Sequence, residues 1–390
     1  MTMKVIRIGD LGRIVTGDTP LKSRSEFYGS AYPFIKPTDM KVGQRFTFAY
    51  DECYSEEAFE KYRKKLIPTG STAVVTIGSI GQKLTLTHTQ CFVNQAVNAV
   101  VPDPLRFDSV YVYYLLRHNL QLVKSADTGA SSGRENVSKS NFSGIELLAC
   151  LDLDEQKKIA KVLNSYDSLI EINQKRVALL EETARLLYRE WFCRCEVSGD
   201  SRSGWKRATL DAICDLIKDQ ADPGKVAPDT PYLSMEHMHP KSISLAEWET
   251  AGKVSSLKLR FRSGDVLFGR IRAYFHKVGI AQISGITSTD MLVVRAKTED
   301  LLPLVALTMS SDEFVAHAVV TSNGTKMPRA DWKVLKDWEL LIPPRSQISE
   351  FAAKVLPIFR LLEVLSSQNR QLTQARDALL PKLMSGEIQV

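Results

Sequence analysis

The sequence has little that would tie it to a membrane or to an oxidising compartment. No stretch of its 390 residues approaches transmembrane length, and Met1 to Asp10 lacks the apolar run of a secretory leader. A cytoplasmic protein is expected. Cysteine is sparse at six. Cys53, Cys91, Cys150 and Cys214 are scattered, while Cys193 and Cys195 stand one residue apart, a spacing that suits neither a zinc knuckle nor an easy disulfide. Catalytic signatures are missing as well. There is no Asn-Pro-Pro-aromatic or Asp-Pro-Pro-aromatic tetrapeptide of an amino-methyltransferase, no G-x-x-x-x-G-K-[ST] phosphate loop, no H-E-x-x-H and no G-x-S-x-G. His237 and His239, with Glu236 beside them, have no companion ligands at metal spacing and read as ordinary surface or core histidines. These absences point away from an enzyme and from a metal protein.

The composition is that of an ordinary folded chain, 44% hydrophobic and 25% charged, long enough for two or three domains. A formal charge of +6 permits a polyanionic partner without requiring one.

The informative feature is a long-period repeat. Ile8-Gly-Asp-Leu11-Gly-Arg-Ile14-Val15 returns as Leu210-Asp-Ala-Ile213-Cys-Asp-Leu216-Ile217. Tyr32-Pro33-Phe34 is answered by Thr230-Pro231-Tyr232, and Ile145-Glu-Leu-Leu148 by Trp338-Glu-Leu-Leu341. A glutamine-led helix follows in each half, from Gln156 and from Gln347. The helices keep their offset while the globular parts differ in length, as expected of a fixed frame carrying diverged heads. Each globular part is rich in short β-branched runs broken by Gly and Pro, such as Thr72-Ala-Val-Val-Thr-Ile77 and Met291-Leu-Val-Val294. Such runs predict a twisted, largely antiparallel sheet. One helix in each part is expected, over 109–122 and 301–318. The fold class is α+β.

Asp152-x-x-Glu155 has the form of a capping box. Beyond it a four-three apolar spacing runs through Ile159, Leu163, Tyr166, Ile170, Asn173, Val177, Leu180, Ala184, Leu187 and Trp191, a coiled-coil seam of ~48 Å. The second helix repeats it through Phe351, Val355, Ile358, Leu362, Leu365, Asn369, Leu372, Arg376, Leu379 and Leu383. A parallel pairing buries each asparagine against an aliphatic residue, leaving two unpaired amides at roughly 1–3 kcal/mol each. An antiparallel pairing of Ile159 with Leu383 and Trp191 with Phe351 instead sets Asn173 opposite Asn369, and Arg376 beside Tyr166, where its guanidinium can stack or reach water. Antiparallel is expected. Pro357 predicts a kink or a fresh helix start, with 346–356 as a separate piece. Antiparallel helices preceded by globular units imply two units related by a pseudo-two-fold axis. On a duplex, such units would read inverted half-sites on the order of fourteen base pairs apart.

This arrangement resembles the specificity subunits of type I restriction-modification systems. The resemblance is carried by the repeat, the helix starts Leu153-Asp-Glu-Gln156 and Pro344-Arg-Ser-Gln347, the segment Leu186-Leu-Tyr-Arg-Glu-Trp-Phe192, and the ending Leu379-Leu-Pro-Lys-Leu-Met-Ser-Gly-Glu-Ile388. Two departures bear on helix length: Gln347 lacks the usual preceding glutamate, and Pro357 stands inside the helix. The resemblance implies two α/β target recognition domains, 1–150 and 205–344, with conserved helices over 151–204 and 345–390. It also implies double-stranded DNA, two methyltransferase subunits and restriction subunits as partners. The chain itself would hold no cofactor; S-adenosylmethionine, ATP and Mg would belong to the partners. The competing reading is a duplicated coiled-coil scaffold with no DNA role.

Candidate DNA contacts are polar loops with glycine and basic residues. In the first half these are Ser79, Gln82 and Lys83 around Gly78 and Gly81, a pattern a plain β-turn also fits, and Ser132, Arg134 and Asn136. In the second they are Arg270, Arg272, Tyr274 and Lys277, then Asn323, Lys326 and Arg329.

Overall fold

The computed structural model describes residues 2–127, 135–193 and 204–390. The chain divides into two compact units, Met1–Ile170 with Leu372–Val390 and Glu171–Gln371. The core of each unit takes in residues of the long helices.

In the first unit, Met3–Arg7 pairs antiparallel with Glu146–Cys150 in the register Met3 to Cys150. A four-stranded antiparallel sheet follows the order Gly12–Thr16, Val97–Pro102, Thr72–Val75, Leu84–Leu86. A second sheet is closed by a parallel pair, Phe34 beside Phe92. The helix Ser109–His118 is apolar all round, and Tyr111 through Leu116 are fully buried, as a helix without a polar face must be. Its aromatic tips still find partners. Tyr111 Oη accepts from the amide of Cys150 at 2.8 Å, and burial pushes its phenol up to about 12.

The second unit repeats the plan. Lys206–Thr209 pairs with Glu339–Ile342, and the main sheet runs Cys214–Ile217, Met291–Ala296, Val266–Gly269, Val278–Ala281, Ser244–Leu245. The expected single helices over 109–122 and 301–318 are each two. Ser109–His118 is followed by Leu120–Ser125, and Leu302–Met309 by Asp312–Val320. Polar side chains make the breaks: the Asn119 amide donates to the carbonyl of Leu115 at 2.8 Å, and Ser311 Oγ caps the next helix by accepting from Phe314 at 3.2 Å.

The long helices are Leu153–Tyr188 and Arg345–Ser385. Asp152 caps the first, accepting from the amides of Asp154 at 2.9 Å and Glu155 at 3.1 Å. Glu155 completes no box and pairs with Lys158 at 2.9 Å. Gln156, fully buried, ties the helix start to the domain, accepting from Asp108 N at 2.8 Å and donating to the carbonyls of Arg106 and Cys150 at 3.0 Å. Pro357 interrupts nothing: the second helix is continuous from Arg345, with no separate piece over 346–356. Pro357 and Ala353, whose carbonyl loses its partner, are both exposed, so the break in the hydrogen-bond ladder falls on the solvent side of the helix.

Within the first unit the early turns of one helix (Ile159, Leu163) share a core with the last turns of the other (Leu380, Leu383, and Leu379 at its edge). Within the second unit Ala184, with Val177, Leu180, Leu187 and Trp191 at the margin, packs with Phe351, Val355 and Leu362, and with Ile358. Trp191 and Phe351 stand 5.6 Å apart. The helices pair antiparallel in both units. Ile170 and Leu365 are buried, and Tyr166 and Leu372 half-buried.

Two expected seam contacts are replaced. Asn173 does not bond Asn369; its amide donates to Gln368 Oε1 at 3.4 Å, and Asn369 Oδ1 is buried without a partner. Arg376 neither stacks on Tyr166 nor reaches water. It is 5% exposed and pairs with the buried Asp167 at 2.5 Å, a residue one position off the seam. The flank next to the seam is covered by the globular part, so a charge there is buried and needs a counter-charge.

Candidate nucleic-acid interface

In each unit the structure brings two separate polar loops together at one bridge. In the first unit Ile77 pairs with Asn136, Gly78 N donates to Glu135 O at 3.1 Å, and Val137 N to Thr76 O at 2.9 Å. Asn136 N also donates to Asp127 Oδ1 at 3.0 Å. The turn uses Gly78 and Gly81 with φ +89° and +76°. A Cβ on Gly81 would stand 2.9 Å from Lys124 Cβ, so glycine is required there by both conformation and space. Ser79 is half-buried and Gln82 exposed. Lys83 is not a free cation: its Nζ donates to the carbonyl of Pro37 at 2.9 Å. Ser132 and Arg134 lie outside the described residues.

In the second unit the matching bridge is Ile271 with Arg329, and Arg329 also bridges Asn323. Arg272 N donates to Pro328 O at 2.8 Å, Ala330 N to Arg270 O at 2.9 Å, and Arg270 N to Asp290 O at 3.0 Å. All the basic candidates but one therefore converge. Arg270 and Arg272 are half-buried, each with a buried Nε that has no hydrogen-bond partner. Lys326 is exposed. Arg329 reaches Asp290 at 3.3 Å, both half-open to water. The exception is Lys277, whose Nζ donates to Met235 O at 2.7 Å. It repeats the role of Lys83 at the same place in the duplicated turn, fastening the loop to the segment after the proline-led strand.

Tyr274 is 54% exposed and Phe275, which sequence reasoning passed over, 42%. Their rings are 4.8 Å apart. Sequence reasoning also missed what holds this turn. Arg272 and His276 have φ 49° and 51°, left-handed values that cost a side-chain-bearing residue energy. The strain is held by contacts: His276 Nε2 donates to Ser310 O at 2.9 Å and Lys241 N donates to His276 O at 2.9 Å. Lys241 Nζ meets Asp312 at 2.8 Å, and this hydrogen bond holds the carboxyl below its ordinary range. Nothing in the local sequence announces Asp290, Lys241 or Asp312, which arrive from distant segments.

His237 and His239 diverge, the first accepting from Ser234 N at 3.0 Å and the second facing Glu247 at 3.0 Å. No metal-holding cluster occurs among the described residues, and no helix among them is long and apolar enough to cross a membrane.

The described architecture has close counterparts. Residues 1–182 match the family described as the type I restriction modification DNA specificity domain. The chain is 24% identical over 422 residues to the type I restriction enzyme MjaIX specificity subunit of Methanocaldococcus jannaschii, covering 99% of this chain and 93% of that one. It is 34% identical over 143 residues to the HindI specificity subunit of Haemophilus influenzae, covering 36% of this chain and 30% of that one. A crystal structure of the S subunit of a type I restriction-modification system from M. genitalium shares the fold, with a TM-score of 0.61 at 17% identity over 98% of this chain and 96% of that one.

Proposed function

The chain belongs to the family of type I restriction-modification DNA specificity subunits, and from that premise we propose how its parts divide the work. Each unit reads one half of a bipartite, gapped, asymmetric DNA target. The first unit uses the turn at Ser79 and Gln82 with the loop at Ser132, Arg134 and Asn136. The second uses Arg270, Arg272, Tyr274, Asn323, Lys326 and Arg329. Lys83 and Lys277, whose ammonium groups donate to the carbonyls of Pro37 and Met235, serve by fastening these turns. The observation that carries the reading is the duplicated bridge, Ile77 with Asn136 and Ile271 with Arg329. The same frame presents a different set of side chains in each copy, so the two half-sites differ in sequence.

The chain has a reading role and no chemistry of its own. Methyltransferase subunits using S-adenosylmethionine and restriction subunits using ATP and Mg would act on the bound DNA in the cytoplasm. The helices serve as spacer and as docking surface for the methyltransferase subunits. One flank of the helix pair is taken by the globular part: Glu181 Oε1 accepts from Ser242 Oγ and from the amides of Ile243 and Ser244, each at 2.9 Å. The other flank is open. On it Ile172, Leu179 and Leu186 recur once per heptad, with Leu361 and Val364 on the second helix, all exposed. An open apolar stripe beside a filled seam suits another helix. Replacing Leu179 and Leu186 by aspartate should abolish co-purification with the methyltransferase subunit while leaving the melting curve of the chain unchanged. Undiminished co-purification would remove the docking role from this face.

A further inference from the structure

The two copies of the turn differ in a way that isolates one of them. Both begin with a left-handed residue directly after the bridging isoleucine. In the first unit that residue is Gly78, φ +89°, and in the second it is Arg272, φ 49°. Glycine adopts this conformation without a steric cost; arginine does not. The second turn bears a further left-handed side chain at His276, φ 51°. Only three described non-glycine residues have positive φ, and the third, Lys241, is bonded to His276. The strain is therefore concentrated in one place and over-determined there by Pro328, Ser310 and Lys241. What it presents is equally distinct. At the tip, where the first copy has the buried Ile80 and Gly81, the second has the exposed pair Tyr274 and Phe275.

We propose that the 272–276 turn of the second unit is a base-stacking tip: the Tyr274 and Phe275 rings pack on nucleobase faces in its half-site, and the Arg272 guanidinium, whose Nε has no partner in the protein, engages the DNA beside them. The proposal rests on the DNA-specificity reading and adds the mode of contact and its restriction to one unit. Arg270, Lys326 and Arg329 around the tip favour a polyanion; of the acidic residues beside the turn, Asp290 is paired to Arg329 and Asp312 to Lys241 and His276. In a duplex such rings reach base faces by wedging into a base step, whose unstacking offsets part of the gain; on single strands each stacked base lost to alanine weakens binding by roughly 5–150-fold. In the first unit the glycine-built turn offers no ring for such a stack.

The test uses the chain assembled with its methyltransferase subunit. The probes are a duplex carrying the methylated motif mapped in cells, and two duplexes with one or the other half of that motif scrambled. The Tyr274→Ala/Phe275→Ala variant should bind the full motif roughly 10–100-fold more weakly. It should lose discrimination against the duplex scrambled in the second unit's half while still rejecting the other. Arg272→Gly should show the same one-sided loss with a Tm at or above that of the wild type, because glycine relieves the left-handed position. The proposal is overturned if the aromatic variant binds within twofold of wild type, if discrimination falls equally in both halves, or if Arg272→Gly lowers Tm. A wild-type complex that distinguishes neither scrambled duplex would instead show, before any variant is made, that the specificity reading itself fails, and the stacking tip with it.

Discussion

Removing Arg376 should destabilise the first unit far more than its place in an aliphatic seam suggests. Arg376 is 5% and Asp167 3% exposed, and they meet at 2.5 Å. Asp167 also accepts from Tyr114 Oη at 2.6 Å and lies 3.5 Å from Arg117, while Arg376 reaches the half-exposed Asp377 at 2.8 Å. Breaking a buried pair by deleting one partner costs about 3–5 kcal/mol, because the other charge is left in a medium that solvates it poorly. Arg376→Met leaves Asp167 with Tyr114 and Arg117, so its cost should fall near the lower end, ~3 kcal/mol. In a unit of this size that lowers Tm by roughly 6–12 °C. Asp167→Leu should be worse, since it also strands the Tyr114 hydroxyl, adding about 1–3 kcal/mol. The double variant should lose clearly less than the sum of the singles, because the two charges left, Arg117 and Asp377, stand 3.8 Å apart and compensate each other. Thermal melts followed by circular dichroism, repeated at high salt, measure the cycle. Salt should change little, as the pair is screened by protein rather than by ions. An Arg376→Met loss below about 1 kcal/mol, or strict additivity, would refute the buried-pair argument.

Three further outcomes are expected. Asn369→Leu should be neutral or stabilising, since it removes a buried oxygen without a partner, whereas Asn173→Leu should cost about 1 kcal/mol; equal losses in both, coupled in a double-mutant cycle, would indicate a mutual amide bond. Lys241 holds the Asp312 carboxyl below its ordinary value of 3.8, so the contact contributes fully above that value and is lost as pH falls through the lower folded one. The Tm difference between wild type and Asp312→Asn should accordingly be constant from pH 8 to 5 and shrink in stronger acid, and a difference that grows on acidification would reverse the sign. Burial pushes the thiols of Cys91 and Cys214 up to about 12, so iodoacetamide at pH 8 should modify the exposed Cys193 well before either, as peptide mass mapping would show; fast labelling of Cys91 would contradict its burial.

The repeat, the antiparallel sense of the helices and the register of their ends were legible because apolar periodicity reports which residues face a neighbour. Trp191 against Phe351 and Ile159 with Leu383 follow from that alone. What periodicity cannot report is the fate of the position beside the seam. Asp167, Glu181 and Ser366 look like solvent-facing residues until a globular part covers that flank and buries them. The same blindness made Pro357 look like a break, although its side of the helix is the exposed one. At the candidate interface the clusters were legible as basic, glycine-bearing loops, and their pairing within each unit was not, because the bridges join residues more than fifty positions apart, as Ile271 and Arg329 do. Lys83 and Lys277 carry the charge of a phosphate ligand, yet a backbone carbonyl takes each one, a choice composition does not reveal. The absence of an Asn173–Asn369 bond shows the limit of register arithmetic, since facing positions need not give facing amides.

Two unlike reading heads on one chain should specify one discontinuous target. Long-read sequencing of genomic DNA from cells carrying this chain with its methyltransferase partner, and from cells lacking it, reads that target from the positions of methylated adenine. A single motif of two different short halves separated by a run of unspecified bases, lost when this chain is deleted, is the expected result. A continuous palindrome, or methylation unaffected by the deletion, would contradict it.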